Sequence, residues 1–181
     1  MNKVITLGML IISAYFLVGC SSKTPQVPLE PMSEKLRFEK ITFHFDQKYP
    51  TKIQYQSPAE LEKRINDKIM SLMNEKGLVS SDTSMNALRI NIHYIRRFVG
   101  QDFPIQSLQT ESLMPPLMAF DIHVINDKKE IRTVMASDLI YNGDLFANLN
   151  VMAGTNRDND YENKAADALA KEIVDRIEKL K

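Results

Sequence analysis

Apolar residues recur either at every second position or at every third to fourth along most of the chain, and that change of period divides it into elements. Residues 37–45 alternate, with Ile41, Phe43 and Phe45 on one side and Lys40, Thr42 and His44 on the other, which predicts a strand. Ser57-Pro58-Ala59-Glu60 reads as a helix start, with Ser57 as N-cap, Pro58 in the first turn and Glu60 closing a capping box. Leu61, Ile65, Ile69, Leu72 and Met73 follow at helical spacing, and Gly77 supplies the stop. A second strand has Leu88, Ile90, Ile92 and Tyr94 alternating with Arg89, Asn91, His93 and Ile95. A third sets Met118, Phe120, Ile122 and Val124 against Asp121 and His123. Asn126-Asp127-Lys128-Lys129 predicts a hairpin turn without the Asn-Gly signature, with a returning strand over residues 130–141. Asp160 is placed to cap a last helix with Ala166, Leu169, Ile173, Ile177 and Leu180 as its buried stripe. Asp167/Lys171 and Asp175/Lys179 are spaced as i,i+4 pairs on that helix.

The order is therefore β-α-β-β-β-α. Strands joined by short connections pair antiparallel, and two amphipathic helices need an apolar sheet face to cover. The expected fold is α+β, a two-layer sandwich with a mostly antiparallel sheet of about four strands under two helices. No internal repeat interrupts this pattern.

The N-terminus follows a different rule. Lys3 gives a positive start, and residues 4–18 are almost entirely apolar, too short a run for a comfortable bilayer span of about 20 residues. The run ends in Leu17-Val18-Gly19-Cys20, which resembles the lipobox of bacterial lipoproteins. The resemblance implies cleavage before Cys20, diacylglycerol on its thiol and an acylated new amino terminus. Ser21, rather than aspartate, implies delivery to the outer membrane in a Gram-negative cell. Two or more acyl chains anchor stably where one is marginal. Pro25, Pro28 and Pro31 then mark an extended tether at about 3.1 Å per residue. The expected organisation is a signal peptide over 1–19, a lipidated Cys20 with a proline-rich tether over 20–34, and one α+β domain over 35–181.

A second resemblance lies in the domain. The first helix with Gly77, a polar loop, then Asn86-Ala87-Leu88-Arg89-Ile90-Asn91-Ile92, is similar to small periplasmic lipoproteins of the YajG type. Tyr141-Asn142-Gly143 with Phe146, ahead of an alanine-rich final helix, has the same arrangement. The resemblance implies fold and location and brings no catalytic residue.

Composition narrows the function classes. Lys plus Arg and Asp plus Glu are 23 each, and loss of Lys3 with the signal leaves a charge near −1, so no net field favours nucleic acid. The single cysteine is Cys20, so no internal disulfide forms and the fold stands on its core. Nucleophile and phosphate-loop signatures are absent, and an enzyme or a cofactor is not expected. His93, His123 and Asp121 offer a zinc-type donor set if their strands pair in a suitable register, but polar residues on an exposed sheet face are the simpler expectation. Asn156, Asp158, Asn159, Asp160 and Glu162 are oxygen-rich, yet the EF-hand order fails and a solvated helix cap is expected, with no metal. Arg96-Arg97 is expected to be a solvated strand end.

Two long connections carry unusual apolar content. Residues 99–116 include Phe103, Ile105, Leu108, Leu113 and Met114; residues 143–160 include Leu145, Phe146, Leu149, Val151 and Met152, with Asp144 and Gly154 placed to cap a short helix. They either cover the core or form a docking surface. The preferred expectation is a membrane-anchored module that binds another envelope protein through Phe103, Ile105, Phe146 and Met152. The alternative is a small-ligand or lipid carrier whose pocket these loops line.

Overall fold

The computed structural model describes residues 30–141, 143 and 145–181, apart from the side chains of residues 106 and 145–147. The signal, Cys20 and most of the tether lie outside the described residues, as do Asn142 and Asp144. The chain divides into two units, Met1–Glu30 and Pro31–Lys181, and all the strands and helices below belong to the second.

Four strands, β1 (Arg37–Gln47), β2 (Ala87–Phe98), β3 (Leu113–Asn126) and β4 (Lys129–Ile140), form one open sheet in the order β1-β2-β3-β4. β1 and β2 are parallel, because helix α1 (Pro58–Glu75) carries the chain back between them; the other two pairs are antiparallel. A short helix, α2 (Leu145–Met152), and a long one, α3 (Asn159–Glu178), complete the chain. This is the expected α+β sheet with helices packed on it.

Alternation along β2 sends Leu88, Ile90, Ile92 and Tyr94 to the helix side, where Met118, Phe120, Ile122 and Val124 of β3 join them. Leu61, Ile65, Ile69 and Met73 of α1 and Leu169, Ile173, Val174 and Ile177 of α3 close that layer. Each fully buried large side chain stabilises by about 1.5–3 kcal/mol. Met32 packs on this core and the Ser33 amide donates to Asn86 Oδ1 at 2.7 Å, so the folded unit includes the last residues of the proline-rich segment.

Helix α1 starts as its capping box predicts: Ser57 Oγ accepts from the Glu60 amide, and the Glu60 carboxylate accepts from the Ser57 amide at 2.7 Å. The bonds to Ser57 hold the Glu60 carboxyl below the usual range.

Several expectations are corrected. The N-cap of α3 is Asp158, not Asp160; its side chain accepts from the Asp160 amide at 3.0 Å. The i,i+4 partners of the two helix aspartates are replaced by α1 and the residue after it. Asp167 accepts from Arg64 Nε and Nη2, at 2.9 and 2.7 Å, and Asp175 accepts from Lys76 Nζ at 3.4 Å. Bidentate arginine gives the better geometry. β3 begins at Leu113 rather than near Met118, so Leu113 and Met114 belong to the sheet and not to the preceding loop. Pro115 and Pro116 favour a loop on local grounds. They are accommodated at a register shift, where Ile95 opposes Leu117 but Arg97 opposes Met114, the kind of bulge that tolerates missing donors. The β3–β4 turn is a two-residue connection with Asp127 and Lys128 both at positive φ, a type I′ shape without glycine.

Candidate docking surface

β2 and β4 end, and β3 begins, at one end of the sheet, and both long connections start there. Beneath them a second apolar cluster forms from Tyr55, Phe98, Leu113 and Tyr161, with Tyr49, Ile53, Tyr141 and Val151 packed around it.

A buried ion pair fastens this end. Arg96 shares the phase of Leu88, Ile90, Ile92 and Tyr94, so its side chain points under the helix layer and is only 5% exposed; its partner Glu162 is 2% exposed. Arg96 Nε and Nη2 donate to the two Glu162 oxygens at 2.7 Å each, Nη1 donates to Gln47 Oε1 at 3.0 Å, and Nη2 also donates to the Gln56 carbonyl at 2.6 Å. The guanidinium lies 4.8 Å from the Phe45 ring centre and 5.5 Å from that of Tyr55. One side chain thus ties β1, β2, α3 and the segment before α1. The expectation of a solvated strand end at Arg96 is overturned. Glu162 is likewise withdrawn from the oxygen-rich loop. Burial raises the Tyr94 hydroxyl well above its ordinary pKa, with the Glu162 carboxylate adding to the effect. Burial also pushes Tyr55 and Tyr161 up to about 12.

Above this platform the two connections share one anchor. The Leu113 amide donates to the Asn156 carbonyl at 2.8 Å, and the Asn156 amide donates to Ser112 Oγ at 2.9 Å. The β2–β3 connection continues as a ladder, with the Val99 amide donating to Ser112 O and the Thr110 amide to Val99 O, both at 2.9 Å. It then turns tightly: Gly100 has φ +78°, and a Cβ there would lie 2.2 Å from the Leu108 carbonyl oxygen. Gln109 Nε2 donates to the Phe103 carbonyl at 2.9 Å, and a short 3-10 turn spans Gln106–Leu108. On the other connection, α2 ends with Gly154 at φ +66°, and the Thr155 amide reaches back to the Asn150 carbonyl at 3.0 Å, a Schellman-type stop.

What these two anchored segments present is apolar. Phe103 is 53% exposed, Ile105 56% and Met152 83%, and Leu108, Leu149 and Ile140 of the same end are also exposed. Of the seven large apolar side chains exposed among the described residues, only Met135 lies elsewhere, on the open sheet face. Phe146 falls in α2 by its backbone, and its side chain lies outside what is described. Leu108, Ile140 and Leu149 join the expected set; by sequence Ile140 is ordinary strand alternation, and only the sheet edge reveals it as uncovered.

The chemistry-bearing candidates do not converge. His44 and His93 are register partners on the open sheet face, with rings stacked 4.7 Å apart. His93 and His123 share that face, but the Asn91–Asp121 pair separates them. His123 accepts from the Asn91 amide at Nε2, 3.3 Å away, when its Nδ1 donates to Glu130 at 2.7 Å. Thr133 and His123 hold the Glu130 carboxyl below its usual range. Among the described residues no group of three or more metal-ligating side chains is placed to hold an ion. Among the clefts on the surface of the described residues, three are well formed, and none of these three is lined by either of the two long connections. One of about 500 Å³ runs past Glu60, Lys63, Arg64, Asp67 and Asp167, one of about 630 Å³ past Arg37, Glu39, Arg89 and Lys128, and one of about 330 Å³ past Leu72, Lys76 and Val174.

No protein-family model matches the chain, and no curated protein matches it in sequence. Among solved structures it is similar to a minor lipoprotein from Acinetobacter baumannii, at 15% identity and a TM-score of 0.38, over 80% of this chain and 91% of that one. A likeness this distant carries no functional argument. No described helix is long and apolar enough to cross a membrane.

Proposed function

We infer that this chain is a lipid-anchored, non-enzymatic module of the bacterial envelope that docks on another envelope protein through the apolar end of its sheet. The anchoring half of this reading rests on Leu17-Val18-Gly19-Cys20. The docking half rests on one observation: two connections pinned to the same Ser112–Asn156 anchor hold Phe103, Ile105, Leu149 and Met152 in solvent above a buried, ion-paired platform. Exposed apolar side chains grouped at one end and held by backbone bonds are what a protein-binding patch needs. The folded unit begins at the other end of the sheet, so a twelve-residue strand of roughly 3.3 Å per residue separates its first residues from the patch by about 40 Å.

The test is crosslinking of intact cells followed by capture of the full-length protein. One envelope protein is expected, with its yield falling at least tenfold when Phe103, Ile105 and Met152 are replaced by serine in a chain that still folds. Cys20→Ser is expected to release the protein from the membrane fraction. Undiminished capture by the triple variant would refute the docking site, and co-purified phospholipid without a protein would move the reading to a carrier.

A further inference from the structure

We propose that the outer edge of β1 is a self-pairing surface, and that two copies of this chain join their sheets there, antiparallel and centred on Phe43. β1 is an edge strand whose other neighbour is β2. At its start the edge is covered, because residues 78–80 pair with Leu36. A bulge at Glu39 follows, and from Lys40 to Gln47 the register against β2 is unbroken. Over that stretch no described segment covers the outer edge, and its backbone donors and acceptors are open to a further strand. The other edge, β4, is interrupted by its own register shift, where Asp138 sits at φ +55°.

The occupant follows from the side chains. In an antiparallel pair, residues directly opposite one another lie on the same face, and a two-fold axis through Phe43 opposes residues whose numbers add to 86. Lys40 then meets Asp46 of the second copy, and Asp46 meets its Lys40. Ile41 meets Phe45, Thr42 meets His44, and Phe43 meets Phe43. Every pair is matched in kind: opposite charges and polar groups on the open face, apolar groups on the helix face. Lys40 and Asp46 are both exposed, and neither forms an ion pair with another described residue. Ile41, Phe43 and Phe45 are only partly buried, although they pack against the core, so a second strand would complete their cover. Neighbouring registers are worse. A shift by two residues either way breaks both Lys40–Asp46 pairs: one sets Asp46 against Thr42 and carries Lys40 past the end of the strand towards Lys48, and the other sets Lys40 against His44 and carries Asp46 into the bulge. A shift by one sets the apolar face of one copy against the polar face of the other. A second copy in this register is the partner whose charges and apolar positions fit this edge.

The test uses the full-length protein. Sedimentation in mild detergent is expected to give a dimer of this chain. K40D, which turns two attractive cross-strand pairs into two repulsive ones, is expected to weaken self-association about tenfold or more. The double variant K40D/D46K restores both pairs and is expected to restore the dimer; far-ultraviolet dichroism confirms that each variant folds. Separately, two tagged copies are co-expressed, one carrying T42C and the other H44C. They are expected to form a mixed disulfide that neither variant forms alone, with the single variants reporting any product through Cys20. A monomer at all concentrations, or a dimer indifferent to K40D, would overturn the proposal. So would a T42C–T42C product without the mixed one. None of these outcomes depends on the apolar end, so loss of partner capture and loss of self-pairing are separately readable.

Discussion

Arg96 and Glu162 form an ion pair at 5% and 2% exposure, which is tolerable only because each finds its partner twice and Arg96 finds two further acceptors. Breaking such a pair by removing one member leaves a buried charge alone. Glu162→Ala is therefore expected to cost about 3–5 kcal/mol in urea unfolding, far more than an exposed pair such as Lys63–Asp67. The two tyrosines of the same end should diverge. The Tyr55 hydroxyl donates to the Glu111 carbonyl, so Tyr55→Phe is expected to lose about 1 kcal/mol. The Tyr161 hydroxyl is buried and bonds to no described group, so Tyr161→Phe is expected to leave stability unchanged or raise it by up to about 1 kcal/mol. Both hydroxyls have raised pKa values in the fold because burial disfavours the phenolate, so neither costs stability by ionising while the pH stays below the unfolded value of about 10. Fold stability is then lost as the pH rises from there through about 12, because the unfolded chain gives up these protons first. Unfolding midpoints measured across that window should fall, and less steeply in Tyr161→Phe.

Elements form here where local signals and packing agree. The capping box of Ser57 and Glu60, the five-residue stripe of α1 and the alternation of β2 are all legible from side-chain period and cap chemistry, because each is decided within one or two turns of chain. Partner choice is less legible. Arg64 and Lys76 outcompete Lys171 and Lys179 for the α3 aspartates through a helix–helix approach that no local spacing encodes. Arg96 does carry a signal, since a charge in phase with four buried apolar residues calls for a buried partner. Glu162, far along the chain in the polar first turn of α3, carries none that names it as that partner. Glycines give the sharpest element-scale test. Gly77 has φ +63° with nothing within 4 Å of a Cβ, so Gly77→Ala is expected to cost only the backbone strain, about 1 kcal/mol. At Gly100 the same change adds a collision with the Leu108 carbonyl, so Gly100→Ala is expected to cost clearly more. It should also loosen the Phe103 loop, read by faster amide exchange at residues 101–110.

The whole folded unit has two unlike ends and an open sheet face. The chain enters it at one end, near the polar cleft of Arg37, Glu39 and Arg89, where Arg89 depresses the Glu39 pKa through its hydrogen bonds. The other end is apolar, firmly underpinned and distant from that entry. Length, charge balance and period forecast a small α+β domain without a staple, and the apolar content of the loops marks the patch. The convergence of both loops on Ser112 and Asn156 is hidden in the sequence, since it joins residues 44 positions apart and relies largely on backbone groups that every residue carries.

The most direct measurement places a photoreactive residue singly at Ile105, at Met152 and at Lys63 of the full-length protein, and compares the adducts formed in intact cells. The docking account predicts that Ile105 and Met152 give the same single protein adduct and that Lys63, on the helix layer, does not. No adduct from the apolar end, or an equal adduct from all three positions, would contradict it.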